Sequence, residues 1–189
     1  SGTNIFAGIW GDGVCPSTNN GTSWTPVDTG LTNTYVYALA VSGTNLFAGT
    51  LGGGVFLSTN NGTSWDEVNN GLTYTDIHAL AVSGTYLFAG CAYPGAGVFL
   101  STNNGTSWAP TTLTNAYINA FAVSGTNIFA GTGTNGVFLS TDNGTNWTEV
   151  NNGLTNSNDV WTFAVSDTNI FAGTQMNGVF LSTNNGTTW

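Results

Sequence analysis

Ser101-Thr102-Asn103-Asn104-Gly105-Thr106-Ser107-Trp108 is an eight-residue box that recurs along the chain. The identical box occurs at Ser17–Trp24 and Ser58–Trp65, and close variants occur at Ser140–Trp147 and Ser182–Trp189. Successive boxes start 41, 43, 39 and 42 residues apart in a chain of 189 residues. Self-similarity at a fixed period of this size is typical of solenoids, propellers and other repeat architectures. One short unit, repeated, therefore determines the fold.

Each full unit contains four apolar runs of strand length, separated by Gly, Asn, Ser and Thr. Strand A is a run of the type Val-x-Ala-Leu-Ala-Val, strand B is Asn-Ile-Phe-Ala-Gly, strand C is Gly-Val-Phe-Leu-Ser, and strand D starts at the box Trp. The A runs are Val36–Val41, Ile77–Val82, Ile118–Val123 and Val160–Val165. No stretch has a helical period with helix-favouring residues, so we expect an all-β protein. Four strands per unit predict a β-propeller of four-stranded antiparallel blades, with the box as the turn between strands C and D.

The phase of the repeat predicts about five blades in a single β-propeller domain covering residues 1–189. The expected units are residues 1–41, 42–82, 83–123, 124–165 and a partial unit, 166–189. The first unit begins at strand B and the last stops as strand D begins, so blade one lacks strand A and blade five lacks most of strand D. We expect the ring to close by combining strands from both ends of the chain, and the alternative is a larger propeller with more blades beyond Trp189.

The box resembles the Asp-box of the sialidase-like (BNR) repeat propellers, in which it also lies between strands C and D. The resemblance covers the whole chain and implies a structural role for the box. Physically, Asn or Asp caps the turn through its side-chain oxygen, Gly takes a positive φ, and Trp covers the hairpin. The chain departs from the family at the acidic position, where only Asp142 is a carboxylate. The box positions are Ser17, Asn19, Gly21, Trp24, Ser58, Asn60, Gly62, Trp65, Ser101, Asn103, Gly105, Trp108, Ser140, Asp142, Gly144, Trp147, Ser182, Asn184, Gly186 and Trp189.

The chain has no Lys and no Arg, and its net charge is -9. Without cations it cannot neutralise phosphates, so we expect no nucleic-acid partner. The resemblance implies that sialidase activity depends on arginines that hold the substrate carboxylate, and this chain has none. No apolar run approaches the roughly 18 residues of a membrane-spanning helix, so we expect no membrane insertion.

His78 is the only imidazole, and Tyr37, Asn119 and Trp161 occupy its position in the other repeats, so no repeated catalytic role is evident. We therefore predict that the protein is not an enzyme. The nine carboxylates are scattered, which predicts no metal site and no cofactor.

The two cysteines belong to different repeats, which argues against a disulfide within one ring. Cys15 replaces a strand C Phe and is expected to be a buried thiol. Cys91 follows strand B, and an exposed Cys91 would be able to link chains.

The loops between strands B and C vary most among the repeats, and in a propeller they share a face with the D–A loops. Aromatic and polar side chains on that face predict a lectin-like site, although unconstrained drift of the loops is an alternative explanation. The candidate ligand-binding residues are Trp10, Asp12, Tyr37, His78, Tyr93, Asn119 and Trp161.

The other face carries Asn-Gly-Thr in every box, which has the form of an N-glycosylation site. Asn-Gly is also the favoured sequence of a tight hairpin turn, so the motif has a purely structural explanation as well. The candidate sites are Asn20, Asn61, Asn104, Asn143, Asn185 and Asn146.

The sparse charge and the Thr, Asn and Gly surface resemble those of secreted bacterial surface repeat proteins. We therefore expect a secreted or cell-surface, non-catalytic scaffold for structure and adhesion, able to assemble head to tail into a surface filament. The alternative function is a carbohydrate-binding module that uses the variable loop face, with extracellular glycans as partners.

Overall fold

The computed structural model of the protein describes residues 4–93, 95–155 and 159–189. These residues form seventeen β-strands and no helix, so no helix among them could cross a membrane. The strands form five antiparallel sheets, one for each repeat, which we call blades 1 to 5.

Blade 1 contains β1 (Ile5–Ile9) and β2 (Gly13–Ser17). Blade 2 contains β3 (Val36–Ser42), β4 (Asn45–Thr50), β5 (Gly54–Ser58) and β6 (Asp66–Glu67). Blade 3 contains β7 (Ile77–Ser83), β8 (Tyr86–Cys91), β9 (Gly97–Ser101) and β10 (Ala109–Thr114). Blade 4 contains β11 (Ile118–Ser124), β12 (Asn127–Thr132), β13 (Val137–Ser140) and β14 (Thr148–Glu149). Blade 5 contains β15 (Val160–Ser166), β16 (Asn169–Thr174) and β17 (Val179–Ser182).

Within each blade the strands pair in chain order, as the repeat predicts. The inner strands β3, β7, β11 and β15 lie side by side, so the blades follow one another along the chain. The predicted closure of the ring is not present among the described residues. Ile5 of blade 1 is 45% exposed and Val179 of blade 5 is 69% exposed, so the outer faces of both end blades are open.

The apolar core lies between neighbouring blades. Successive residues of a strand point to opposite faces of its sheet, so each blade contributes one set of side chains to each neighbour. Phe47 and Val55 of blade 2, for example, share a buried cluster with Ile77, Leu87 and Phe99 of blade 3. Complete burial of a Phe side chain stabilises the fold by about 1.5–3 kcal/mol.

A glycine near the end of strand B allows the next blade to approach closely. A Cβ on Gly49 would lie 2.7 Å from Cγ2 of Ile77, the first residue of the next inner strand. In the first four repeats, the missing side chain of this glycine leaves room for a β-branched side chain from the following blade. The other pairs are Gly8 with Val36, Gly90 with Ile118, and Gly131 with Val160.

The box is a hydrogen-bonded turn. In blade 2, the Gly62 amide donates to Ser58 Oγ (2.8 Å), and both the Ser58 hydroxyl and the Ser64 amide donate to Asn60 Oδ1 (2.9 Å each). The backbone is left-handed at Asn61 (φ 57°) and Gly62 (φ 81°). The same Ser and Asn or Asp bonds recur in all five boxes, which confirms the predicted capping.

In three boxes the Trp also forms a hydrogen bond to the preceding repeat, which the sequence does not predict. The indole of Trp65 donates to the carbonyl of Val27 in the preceding repeat (3.2 Å). Trp108 and Trp189 form the same kind of bond with Val68 and Val150. Trp24 and Trp147 instead donate to the glycine carbonyl of their own box. The indoles of Trp65, Trp108 and Trp189 therefore connect neighbouring repeats.

Both thiols are buried, which confirms the prediction for Cys15. Cys91 therefore lacks the exposure that a link between chains would require. Cys91 is the last residue of β8, where its side chain points into the interface between blades, as Thr50 does in blade 2. Burial raises the pKa of Cys91 to about 12. Neither residue is placed to link two chains.

Candidate functional site

Each complete inner strand begins with a β-bulge. In blade 2, Val36 lies opposite Thr50 and Ala38 lies opposite Gly49, so Tyr37 is an extra residue without a cross-strand partner. A bulge bends the strand and redirects the extra side chain. The equivalent bulges place His78, Asn119 and Trp161 in the same way.

These four bulge residues, one from each of four successive blades, line a single cavity of about 330 Å³. An adjoining cavity of about 370 Å³ shares His78, Asn119 and Trp161 with it. Tyr117, Thr134, Asp159 and Gln175 complete the polar and aromatic lining of the second cavity. We call the two cavities together the inner groove, and its size is typical of small-molecule sites.

Aromatic rings form a continuous run at one end of the inner groove. Tyr37 stacks on His78 with ring centroids 4.1 Å apart and an interplanar angle of 26°. Trp10 packs edge-on against Tyr37 (5.0 Å) and also against Tyr35 (5.1 Å). At the other end, Trp161 is 55% exposed. Two exposed aromatic surfaces thus flank the groove.

Polar groups are fixed between these aromatic ends. The side-chain amide of Asn119 donates to the carbonyl of Val160 on the neighbouring inner strand (3.0 Å). This bond orients Asn119 and connects blades 4 and 5 at the groove. The Asp159 carboxylate and the Gln175 amide add further hydrogen-bonding groups to the lining.

The rings of His78 and Tyr37 are neutral at pH 7. Burial lowers the pKa of His78, and Asp76 opposes this with a smaller effect. Burial also raises the pKa of Tyr37, with a further contribution from Asp76. A neutral imidazole offers one hydrogen-bond donor and one acceptor, and a protonated phenol offers both as well.

Three of the seven predicted binding residues do not line the inner groove. Trp10 lines neither cavity, although its ring packs against Tyr37 at one end of the groove. Tyr93 packs near Tyr74 (5.9 Å between ring centroids) and lines a separate pocket of about 200 Å³ with Thr73, Thr75 and Asp76. Asp12 is an exposed residue of the turn between β1 and β2 and lines neither cavity of the groove. The other four residues, Tyr37, His78, Asn119 and Trp161, line the inner groove together.

The sequence reasoning missed Tyr35, Tyr117 and Asp159. All three stand directly before the first residue of an inner strand, at the repeat position that Asp76 occupies in blade 3. An alignment of the internal repeats would have identified these residues, because the position before each inner strand varies among the repeats as the bulge position does.

No group of three or more His, Cys, Asp or Glu side chains within the described ranges is arranged to hold a metal ion. The groove residues are aromatic, amide and single-carboxylate groups, which suit hydrogen bonding and stacking better than cation coordination.

The five box asparagines that precede glycine are exposed, with φ between 54° and 58°. Their turns present them to solvent at regular intervals along the repeats. Asn146 differs, because its side-chain amide donates to Asp142 Oδ2 (2.7 Å).

No protein-family model and no curated protein sequence matches the chain. Solved structures do match it. An ancestral GH74 enzyme superposes with a TM-score of 0.76 at 24% identity, over 90% of this chain and 25% of that one. The extracellular domain of BT4673 from B. thetaiotaomicron gives 0.78 at 18% identity, over 96% and 26%. The GH74 xyloglucanase from Xanthomonas campestris gives 0.73 at 16% identity, over 99% and 36%.

At these identities the likeness shows the fold, which is β-propeller-like. The chain spans only about a quarter to a third of the length of these three proteins. The resemblance of the boxes to the Asp-box family stays a prediction.

Proposed function

We propose that the protein is an extracellular, non-catalytic module that binds neutral carbohydrate in the inner groove. The observation that carries this proposal is the set of four β-bulges, which direct Tyr37, His78, Asn119 and Trp161 from successive blades into one groove.

The groove has the two kinds of surface that a sugar needs. The C–H faces of a pyranose ring are apolar and pack on exposed aromatic rings such as Trp161 and the Trp10 and Tyr37 pair. The hydroxyl groups at the rim of the sugar require donors and acceptors, which Asn119, Asp159 and Gln175 provide between the aromatic ends. A chain of several sugar units would lie across the inner strands.

The charge of the protein favours a neutral ligand over an acidic one. With no Lys, no Arg and a net charge of -9, no fixed cation is present to pair with a carboxylate or sulfate on a glycan. Because His78 is neutral at pH 7, it does not supply that charge either. Acidic saccharides would be repelled.

Binding without hydrolysis fits the lining of the groove. Glycoside hydrolysis generally needs two carboxyl groups on either side of the scissile bond. Asp159 is the one carboxylate among the described residues that line the inner groove.

Two of the similar structures support a polysaccharide ligand and an extracellular location. One is named as a xyloglucanase, so a fold of this type acts on a polysaccharide. Another is named as an extracellular domain. Both are far longer than this chain, so they serve as analogies.

Titration calorimetry with cello- and xyloglucan oligosaccharides tests the proposal. We expect saturable binding that Trp161→Ala weakens about tenfold or more, which corresponds to about 1.4 kcal/mol of binding free energy. A sialylated oligosaccharide should not bind. Trp24→Ala is the matched control, because Trp24 is an exposed indole in a box turn and lines neither cavity of the groove.

Equal affinity of the Trp161→Ala and Trp24→Ala variants would refute binding in the groove. Tighter binding of the sialylated oligosaccharide than of the neutral ones would refute the claim that the negative charge of the protein favours a neutral ligand.

A further inference from the structure

The loop between strands B and C is longer in blade 3 than in the other blades. It spans seven residues in blade 3 (91–97) and five in each of the others (9–13, 50–54, 132–136 and 174–178). The longer loop carries Tyr93, whose side chain is 52% exposed. The amide of Ala96 donates to the carbonyl of Tyr93 (3.1 Å), which fixes the backbone of Tyr93 within the loop.

Tyr74 is a second departure from the repeat, and its ring lies beside that of Tyr93. Three positions before the inner strand, blade 3 has Tyr74 where blades 2 and 4 have Asn33 and Asn115. In blade 2, the side-chain amide of Asn33 connects this segment to the B–C loop by donating to the carbonyl of Leu51 (2.7 Å). In blade 3, the rings of Tyr74 and Tyr93 have centroids 5.9 Å apart and an interplanar angle of 31°. The two departures together form an aromatic pair.

The two tyrosines line a compact cavity that also contains a carboxylate. The cavity has a volume of about 200 Å³, and Thr73, Thr75 and the partly exposed Asp76 complete its lining. We call it the tyrosine pocket. Blade 3 has blade 2 on one side and blade 4 on the other, so the pocket lies within the series of blades.

The charge at the tyrosine pocket is negative. The chain has no Lys and no Arg that could pair with Asp76. His78, the only imidazole, is neutral at pH 7 because burial lowers its pKa. After burial, which is the larger cause, the charge of Asp76 also raises the pKa of Cys91 and of Tyr37, so its field reaches the neighbouring groups. The net charge of -9 adds to this negative potential.

We propose that the tyrosine pocket binds an organic ammonium group, either the head group of a small molecule or the end of a lysine side chain. The face of an aromatic ring attracts a cation that lies within about 6 Å of the ring centroid. Because the centroids of Tyr74 and Tyr93 are 5.9 Å apart, one cation can lie within that range of both. Asp76 adds a formal negative charge, and the hydroxyl groups of Thr73 and Thr75 can accept hydrogen bonds. The pocket is separate from the inner groove, so the two proposals can fail separately.

A cation fits this pocket better than the neutral sugar that we propose for the inner groove. The groove is larger and offers the side-chain amides of Asn119 and Gln175, which both donate to and accept from sugar hydroxyl groups. The described residues that line the tyrosine pocket include no side-chain amide, and Asp76 only accepts hydrogen bonds when it is ionised. An ammonium group supplies the positive charge that the carboxylate and the ring faces lack. A neutral sugar in the pocket is the alternative that the experiment has to exclude.

Titration calorimetry with small probes tests the proposal. Choline carries a quaternary ammonium group, and Nα-acetyllysine amide carries the primary ammonium group of a lysine side chain. The carbon analogue of choline, in which a neutral tert-butyl group replaces the trimethylammonium group, has nearly the same shape without the charge, and glucose represents a neutral sugar. We expect saturable binding of a cation, with the carbon analogue bound about tenfold more weakly than choline. The tighter of the two cations shows whether the pocket suits a methylated head group or a lysine side chain.

Variants show whether the cation binds in the tyrosine pocket. Asp76→Asn removes the charge and Tyr93→Ala removes one ring, and each should weaken binding about fivefold. Asp66→Asn is the matched control, because Asp66 is exposed on the outer strand of blade 2, does not line the pocket and changes the net charge by the same amount. Its affinity should equal that of the parent. Asp76 occupies a position that holds Tyr35 and Tyr117 in other blades, and Tyr93 is exposed, so both variants should fold, which circular dichroism checks.

Four results would overturn the proposal. Equal affinity for choline and its carbon analogue would show that the charge of the ligand has no effect. Equal affinities of Asp76→Asn and Asp66→Asn, or an unchanged affinity in Tyr93→Ala, would show only a general attraction of cations to an acidic protein. Binding of glucose but of neither cation, lost in Tyr93→Ala, would assign the pocket to a neutral sugar. A parent protein that binds neither cation at millimolar concentration would show that the pocket takes no ammonium group.

Discussion

The buried serine of the box provides a sharp test of how the repeat is stabilised. Ser101 is 1% exposed, and its Oγ accepts a hydrogen bond from the buried amide of Gly105 (2.9 Å). The same hydroxyl donates to Asn103 Oδ1 (2.9 Å). Ser101→Ala therefore removes the acceptor of a buried amide and one hydrogen bond to the side chain that caps the turn.

The expected destabilisation follows from these two losses. A buried N–H left without a partner costs about 1–3 kcal/mol, and loss of an ordinary hydrogen bond costs about 0.5–1.5 kcal/mol. Because the two effects share one hydroxyl, we expect a decrease of about 2–3 kcal/mol in the free energy of unfolding. For a chain of this size, Tm should fall by roughly 5–10 °C.

Thr102→Ala is the control, since Thr102 is the exposed neighbour in the same box. An exposed substitution of this kind should change the free energy of unfolding by less than about 0.5 kcal/mol. Urea unfolding followed by Trp fluorescence measures both variants. A Ser101→Ala variant as stable as Thr102→Ala would refute the claim that the box serine supports the fold.

Three further predictions concern titratable groups. Cys15 and Cys91 should both resist a thiol reagent in the native protein and react after unfolding, because both are buried and burial raises both pKa values. Hydrogen bonds from the backbone N–H and the side-chain amide of Asn146 lower the pKa of Asp142. The carboxylate therefore stabilises the fold above the ordinary carboxyl pKa, and this stabilisation is lost as the pH falls through the lowered pKa. In Asp142→Asn, the free energy of unfolding measured in urea should depend less on pH in this acidic range. Burial lowers the pKa of His78, so stability should decrease as pH falls below the ordinary imidazole value of 6.5, and His78→Gln should lessen the decrease.

Each of these predictions has a contrary outcome. Native labelling of Cys91 would show that the interface between blades 2 and 3 opens readily. An unchanged acid profile in Asp142→Asn would show that the turn gains nothing from the carboxylate. A His78 pKa above 6.5 in an NMR titration would show that the charge of Asp76 raises this pKa more than burial lowers it.

The fold was predictable because its signals are local and repeated. Five boxes at near-regular spacing and four apolar runs per unit predict the sheet order, and the Asn-Gly pairs predict the tight turns. Left-handed backbone at Asn61 as well as Gly62 follows from the tolerance of Asn for that conformation. The spacing of the repeats does not predict the contacts between blades, because these contacts join residues about 40 positions apart.

The features that the sequence did not predict depend on such distant contacts. Trp65 donates to Val27 of the preceding repeat, but Trp147 does not make the equivalent bond, because the segment after the third box differs in sequence. Cys91 looks like a loop residue in the sequence, yet it ends β8 with its side chain on the buried face.

The candidate site was partly predictable. Equivalence among the repeats identified Tyr37, His78, Asn119 and Trp161 as variable residues at one position. The bulge that redirects them was not foreseen, because it arises from a mismatch in strand pairing that periodicity does not reveal. Tyr93 was grouped with them by loop position, but its own pocket lies apart from the groove.

The most direct test of the inner groove uses His78, because it is the only histidine of the chain and its ring stacks on Tyr37. Its imidazole signals in a two-dimensional NMR spectrum can be followed while a neutral glucan oligosaccharide is added. We expect a saturable shift of these signals in the parent protein, with much weaker binding in Trp161→Ala. Oligosaccharide binding that leaves the His78 signals unchanged, or no binding of any neutral oligosaccharide, would contradict carbohydrate binding in the inner groove.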